Sequence, residues 1–143
     1  MRKVLWICNI MLPVIAREFS LSYSNREGWL SGIFERVKEG EAPFTLSVCF
    51  PVTEEQKEAL PAEVLSDGVN VHGIRCFGFL EDLAHPETYD NSLEERFCQI
   101  FAADKPDMIH IFGTEFPHTL AAVRAFDNPK RTLIGIQGLC HEI

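Results

Sequence analysis

The sequence predicts a doubly wound α/β fold, in which helices cover both faces of a parallel sheet. The first observation is a continuous apolar run, Lys3–Cys8, with the length and composition of a parallel strand buried on both faces. The second is that strand-like and helix-like segments alternate along the chain, as they do when right-handed crossovers join parallel strands. The third is size, because 143 residues, of which 46% are hydrophobic, suffice for one domain with a core.

Five strands are predicted from apolar or β-branched runs of strand length, and four helices from apolar residues at helical spacing. The predicted strands are 3–8, 44–50, 69–77, 107–112 and 131–136, and the predicted helices are 29–38, 54–60, 92–105 and 117–126. Pro51, Pro61 and Pro106 are expected to end the elements that precede them. Ser92 and Glu95 match a capping box at the start of the third helix.

Net charge and hydropathy exclude two classes of protein. The formal net charge of −8 leaves no basic excess to neutralise a phosphate backbone, so we expect no nucleic-acid partner. Asn9, Pro13 and Arg17 interrupt the apolar stretches near the N-terminus, which stay far below the ~18 residues of a membrane span. We therefore expect a cytoplasmic protein and leave peripheral contact with the inner membrane surface open.

The five cysteines are odd in number and scattered, and they form no C-x-x-C motif. Neither a disulfide framework nor a zinc ribbon is indicated. We expect free, buried thiols in a reducing compartment.

A ligand site is expected at one edge of the sheet. In open α/β sheets, ligands bind at the carboxyl ends of the strands, where the strand order reverses. With the common order 3-2-1-4-5, this switch point lies between the first and fourth predicted strands. The loops there are Asn9–Gly28 and Gly113–His118, with Gln137 and Gly138 next along.

The loop that follows the first strand supplies candidate ligand contacts but no nucleotide-binding motif. Asn9 could hydrogen-bond a hydroxyl-rich ligand or only satisfy the loop backbone, and Gly28 could admit a ligand close to the backbone or only make a turn. Neither G-x-G-x-x-G nor a P-loop motif is present, which argues against a dinucleotide-binding dehydrogenase and a P-loop hydrolase. The apolar residues of the segment either form a lid or pack onto the sheet.

The loop before the fourth helix places an acid and an imidazole together. Glu115 could act on a ligand, although an acid in a first helical turn also stabilises the helix alone. His118 is the candidate base or hydrogen-bond partner, with a structural histidine as the alternative. His110 lies within a predicted strand and is expected to be a core histidine. The spacing of His110, Glu115 and His118 is not a recognised ligand pattern, so no metal is predicted.

Four stretches, in their order and spacing, resemble the N-terminal domain of bacterial family-4 glycosyltransferases: 3–9, 27–30, 106–115 and 134–138. The most specific is 106–115, which reads PDMIHIFGTE and is followed by Pro117 and His118. The resemblance spans nearly the whole chain. It implies the Rossmann-like, acceptor-side half of a GT-B architecture, ending after about the fifth strand, with the donor-binding domain outside this sequence.

The resemblance also implies roles for individual residues. The glycine loop at Gly28 and Trp29 would approach the donor phosphates or the acceptor, and Gln137 stands where many relatives carry a histidine that contacts the transferred sugar. His118 or His141 would then substitute for that histidine, and Glu115 and His118, selected above from their loop, are the candidate catalytic residues. The candidate substrate-binding residues are Asn9, Gly28, Trp29, Gly113, Thr114 and Gln137. Neither a cofactor nor a metal is implied, and the nucleotide-sugar is a co-substrate held mainly by the other domain.

Three hypotheses follow, of which the first two belong to different classes. The first is the acceptor-binding half of a sugar transferase in cell-surface polysaccharide or glycolipid synthesis, with a nucleotide-sugar donor and a sugar or lipid-linked acceptor as partners and no activity of the fragment alone. The alternative is a noncatalytic α/β module that binds a nucleotide or a protein. The third hypothesis is a hydrolase or epimerase of the same architecture, which would be distinguished by sugar released to water rather than to an acceptor.

Overall fold

Strands that alternate with helices form one mainly parallel sheet in the computed structural model of the chain. The structure describes residues 2–8, 13–19, 44–71, 73–81, 91–112 and 117–135. The strands within these ranges are β1 (Arg2–Ile7), β2 (Phe44–Val52), β3 (Val69–Val71), β4 (Ile74–Leu80), β5 (Met108–Phe112) and β6 (Thr132–Gly135). The helices are α1 (Pro13–Glu18), α2 (Glu54–Lys57), α3 (Asn91–Asp104) and α4 (Pro117–Phe126), with 3₁₀ turns at Ala62–Leu65 and Pro129–Arg131. The predicted helix 29–38 lies outside the described residues.

The strand order is that of a doubly wound fold. Side by side the strands run β3-β4-β2-β1-β5-β6. β3 is antiparallel to β4, and the other neighbouring pairs are parallel. Taken alone, the five parallel strands have the predicted order 3-2-1-4-5. The α/β class and the reversal of strand order between β1 and β5 are thus confirmed.

Each face of the sheet carries its own hydrophobic cluster, because successive strand residues point to opposite sides. Along β1, Val4 and Trp6 belong to the first cluster, whereas Leu5 and Ile7 belong to the second. α1 and the 3₁₀ turn Ala62–Leu65 contribute to the first cluster. α3 and α4 cover the second with these buried side chains: Leu93, Phe97, Ile100, Ala121 and Ala122. Burial on both faces explains why the strands read as nearly continuous apolar runs.

The prediction that Pro51 ends the second strand is wrong, because β2 continues to Val52. The backbone of Cys49 faces β1, since its carbonyl accepts the Cys8 N–H at 2.9 Å, and Val52 faces β4, since its carbonyl accepts the Glu81 N–H at 3.2 Å. By alternation Pro51 faces the β1 side, and β1 has already ended at Ile7. The missing N–H of proline therefore removes no hydrogen bond from the β2–β4 pairing.

The predicted strand 69–77 is two antiparallel strands. β3 pairs with β4, so that Val71 lies opposite Ile74. Gly73 makes the turn with a φ of 84°, and its N–H donates to the Asn70 side chain at 2.8 Å. β4, rather than the whole run, is the parallel strand, and it extends to Leu80.

Part of the expected long loop Asn9–Gly28 is helical. α1 occupies residues 13–18, and its Ile15 and Ala16 are buried against the first face of the sheet. For this part of the segment, the structure agrees with the interpretation that the apolar side chains pack onto the sheet.

Three details of the helices differ from prediction. α3 begins at Asn91, so Ser92 lies inside the first turn rather than at the cap position. The predicted helix 54–60 is only α2, whose capping box joins Thr53 and Gln56. α4 has the predicted bounds, but Leu120, one of the apolar residues whose helical spacing predicts this helix, is 46% exposed, because the helix turns its alanines toward the sheet.

Candidate functional site

The predicted switch point is defined by two neighbouring strands. β1 and β5 pair in parallel, so their carboxyl ends, at Ile7 and Phe112, lie at the same edge of the sheet. β1 leads toward β2 on one side, and β5 leads through α4 to β6 on the other. This is the arrangement in which a crevice forms outside the strand ends.

Of the eight predicted site residues, His118 is the one that the structure describes. The other seven lie outside the described residues: Asn9, Gly28, Trp29, Gly113, Thr114, Glu115 and Gln137. The roles assigned to them from the sequence stay predictions.

His118 lies in the first turn of α4 and is buried, with 1% of its surface exposed. Its ring packs against Phe79 of β4, with the two ring centroids 5.2 Å apart and the planes inclined by 51°. Phe79 in turn packs against Phe97 of α3. The imidazole is therefore wedged between α4 and the second face of the sheet.

Glu81, the residue directly after β4, is the acidic partner of His118 in the described structure. Its Oε2 accepts the His118 backbone N–H at 3.0 Å, and Oε1 and Oε2 lie 2.8 and 2.9 Å from Nδ1 of the ring. The two side chains are 2% and 1% exposed. The Glu81 N–H is held by the Val52 carbonyl, so the acid is fixed by both its backbone and its side chain.

Hydrogen bonds and the helix dipole favour this buried carboxylate. A charge without partners in the interior costs several kcal/mol, so buried acids need hydrogen-bond donors. Here the donors are the first-turn N–H and Nδ1 of His118, at the helix end whose dipole stabilises negative charge. Chemically, the pair can bind the carboxyl end of β4 to the start of α4 and hold the imidazole in one orientation.

Sequence reasoning located His118 but missed Glu81. The acid expected beside the histidine was Glu115, three residues away, whereas Glu81 is 37 residues away. No local spacing encodes such a contact. The available signal was position, because an acid that directly follows an apolar strand lies at the carboxyl edge of the sheet, where a ligand site is expected.

His110 is placed as a structural histidine rather than a site residue. It is half-buried in β5 and stacks on Phe112, with centroids 4.1 Å apart and planes inclined by 23°. Burial lowers the pKa of His110 below its ordinary value, which favours the neutral ring.

An open groove lined by described residues lies away from the predicted site. It has a volume of about 610 Å³ and is lined by Arg2, Asp107, Met108, Lys130 and Arg131. These residues lie at the amino ends of β1, β5 and β6, opposite the carboxyl edge. In the described part of the chain, no three His, Cys, Asp or Glu side chains are grouped so that they could hold a metal ion.

Comparison with known proteins identifies no family. No family model, no curated protein and no solved structure matches the chain. Among the helices of the described ranges, none is both long and apolar enough to cross a membrane.

Proposed function

We propose that the chain is the acceptor-side domain of a GT-B glycosyltransferase, which moves a sugar from a nucleotide-sugar donor to a sugar or lipid-linked acceptor in cell-surface polysaccharide or glycolipid synthesis. The observation that carries the proposal is the strand order, which reverses between β1 and β5, the two strands that lie within the glycosyltransferase-like stretches 3–9 and 106–115. The reaction takes place in the cytoplasm, with a lipid-linked acceptor presented at the inner membrane surface.

The position of the histidine supports the proposal. The stretch most like the family, PDMIHIFGTE, includes β5. The first turn of the next helix, α4, contains His118, whose buried ring contacts the Glu81 carboxylate at the end of β4. A fixed helix start gives the loop of Gly113, Thr114 and Glu115 a rigid base, which a binding loop needs.

In this proposal the two candidate catalytic residues act differently. Glu115 is the acid that would contact the reacting sugar, whereas His118, buried against Phe79, would support the loop that carries Glu115. Asn9, Gly28, Trp29 and Gln137 would contact the substrates from the neighbouring loops. The largest part of catalysis, stabilisation of the departing diphosphate, would come from hydrogen-bond donors of the donor-binding domain.

The proposal is tested by measuring sugar transfer from radiolabelled UDP- and GDP-sugars to a membrane extract. Two proteins are compared: the polypeptide that joins this domain to its donor-binding domain, and the 143-residue chain alone as the matched control. We expect transfer by the longer protein only, and the active donor identifies the sugar. Absence of transfer from every donor would contradict the proposal, and sugar released to water would assign a hydrolase instead.

The burial of His118 favours a second candidate function, a noncatalytic α/β module that binds a nucleotide or a protein. A histidine that is 1% exposed and hydrogen-bonded to Glu81 can stabilise the fold of any doubly wound domain, whether or not that domain is an enzyme. The same experiment separates the two functions, because the noncatalytic module would bind its ligand without transferring sugar in either protein.

A further inference from the structure

The Glu81 carboxylate makes two kinds of contact with a single residue of α4. It accepts the backbone N–H of His118, and both of its oxygens lie within 2.9 Å of the ring nitrogen Nδ1. One side chain therefore fixes the start of a helix and also the rotation of the imidazole at that start.

The chemistry of the contact decides which ring nitrogen carries hydrogen. With Glu81 ionised, the carboxylate offers acceptors only, and Nδ1 is then the donor. This is true of the neutral ring and of the imidazolium. In the neutral ring, hydrogen on Nδ1 leaves Nε2 as an acceptor.

The contact differs from an ordinary helix cap, whose side chain comes from the residue just before the helix. Glu81 is 37 residues distant and belongs to the end of β4, where its N–H is bonded to Val52 of β2. The carboxylate thus connects the carboxyl ends of β2 and β4 to the first turn of α4. The loop between β5 and α4 ends on a helix whose start is held by the sheet itself.

We propose that Glu81 is a positioning residue for acceptor binding, which acts by holding hydrogen on Nδ1 of His118 and the start of α4 in place. This inference rests on the proposed function, in which the loop between β5 and α4 contacts the acceptor. Glu81 itself touches no substrate. Its loss is expected to weaken acceptor binding, while the donor, held by the other domain, binds as before.

The first test is a nuclear magnetic resonance measurement on the 143-residue chain, which needs no enzymatic activity. The ¹⁵N chemical shifts and proton couplings of the His118 ring, assigned by comparison with His118→Asn, report which nitrogen carries hydrogen at each pH. We expect Nδ1 to carry hydrogen at neutral pH. A ring with hydrogen on Nε2 alone would overturn the proposal without any change to Glu81.

The second test is Glu81→Gln, which keeps the shape of the side chain but replaces one acceptor with an NH₂ donor. The amide oxygen can keep the His118 backbone N–H, and the NH₂ group then faces Nδ1. We expect the hydrogen of the neutral ring to move to Nε2. Retention of hydrogen on Nδ1 alone in a folded Glu81→Gln variant would contradict the proposal.

The third test measures transfer by the longer protein with Glu81→Gln. We expect KM for the acceptor to rise on the order of tenfold, the effect of losing about one hydrogen bond, with KM for the donor unchanged. The matched control is Glu94→Gln, which removes a carboxylate charge from an ion pair between α3 and α4, 3.7 Å from Arg124. The control should change neither KM.

The outcomes separate the two proposals. A merely structural Glu81 would lower the amount of active enzyme and leave both KM values unchanged, which would overturn the positioning role. An inactive wild-type enzyme would contradict the proposed function, and the nuclear magnetic resonance test would still decide whether Glu81 holds hydrogen on Nδ1.

Discussion

At the scale of single residues, Arg96 carries an unusual number of contacts for one side chain. Its guanidinium donates to three backbone carbonyls: Gly78 at 2.9 Å, Ser66 at 3.0 Å and Val64 at 3.2 Å. Partial burial lowers the pKa of Arg96 below its ordinary value. The carbonyls offset the cost of that burial, so the residue fastens α3 to β4 and to the 3₁₀ turn beside it.

Arg96→Lys is expected to lower the free energy of unfolding by about 2 kcal/mol, because an ammonium cannot reproduce the planar fork of donors and leaves partly buried carbonyls unpaired. Denaturant titration with far-ultraviolet circular dichroism measures the change. Arg124→Lys is the matched control: the Arg124 side chain is 56% exposed, and we expect a change within about 0.5 kcal/mol. Equal effects of the two variants would assign Arg96 no special role.

His118 and Glu81 show what could be predicted of the site. The location of His118 follows from local pattern, because Pro117 starts a helix immediately after an apolar strand. Its partner depends on how β4 and α4 approach each other in space, and nothing in the sequence near either residue encodes that distance. The acid partner of a buried histidine is thus a property of the fold.

At the scale of elements, two glycines in the left-handed region flank β3, Gly68 directly before the strand and Gly73 in the turn to β4. Gly68 has a φ of 90°, and a Cβ atom there would lie 2.8 Å from Phe77 Cε1 and 3.0 Å from the Cys76 carbonyl. Gly73 has a φ of 84°, but a Cβ atom there would meet nothing within 4 Å. The two positions share the conformation and differ in crowding.

Alanine at the two positions separates strain from steric overlap. We expect Gly73→Ala to cost about 1 kcal/mol, the penalty of a left-handed conformation for a residue with a Cβ. Gly68→Ala should cost about 3 kcal/mol, because backbone strain and overlap with the buried ring of Phe77 add. Thermal unfolding of both variants measures the difference, and equal losses would contradict the crowding at Gly68.

The elements also show where sequence patterns suffice. α3 and α4 are long enough for apolar spacing and proline ends to define them, and both were predicted to within one residue at each end. The hairpin was not predicted, because Val69–Phe77 reads as one apolar and β-branched run. Among the described residues, the turn is marked by Gly73 and by the Asn70 side chain that accepts its N–H. α1 is six residues long, too short for its spacing to stand out.

At the scale of the whole molecule, buried thiols lie on both faces of the sheet. Cys76 belongs to the first cluster and Cys49 to the second. Burial raises the pKa of Cys76 from about 9 to about 12, and burial together with the neighbouring Cys8 raises the pKa of Cys49 well above its ordinary value. Cys98, expected to be buried, is exposed on α3, and Cys140 lies outside the described residues.

Because the pKa values of these buried thiols are raised, we expect the protein to lose stability at alkaline pH. Between pH 9 and pH 12 the unfolded chain ionises Cys76 while the folded protein keeps the proton, so the unfolded state binds fewer protons and stability falls as pH rises. The slope is up to about 1.4 kcal/mol per pH unit for each such thiol. Below pH 9 the contribution is constant.

Chemical unfolding measured at intervals from pH 8 to pH 11 tests this prediction. Cys76→Ala should be less stable at neutral pH, because it leaves a small cavity, yet its stability should decline less steeply above pH 9. Cys98→Ala is the matched control and should keep the wild-type slope, since Cys98 is exposed. A slope unchanged by Cys76→Ala would show that other groups cause the alkaline loss.

Pro51 has a consequence for where the sheet opens. Just beyond β1, the Cys8 N–H donates to the Cys49 carbonyl, and the next residue on that side of β2 is Pro51, which has no N–H to donate. Pro51 therefore cannot donate the next hydrogen bond of the ladder between β1 and β2. At this position β2 offers the chain that follows β1 no N–H donor, a limit that the covalent structure of one imino acid imposes.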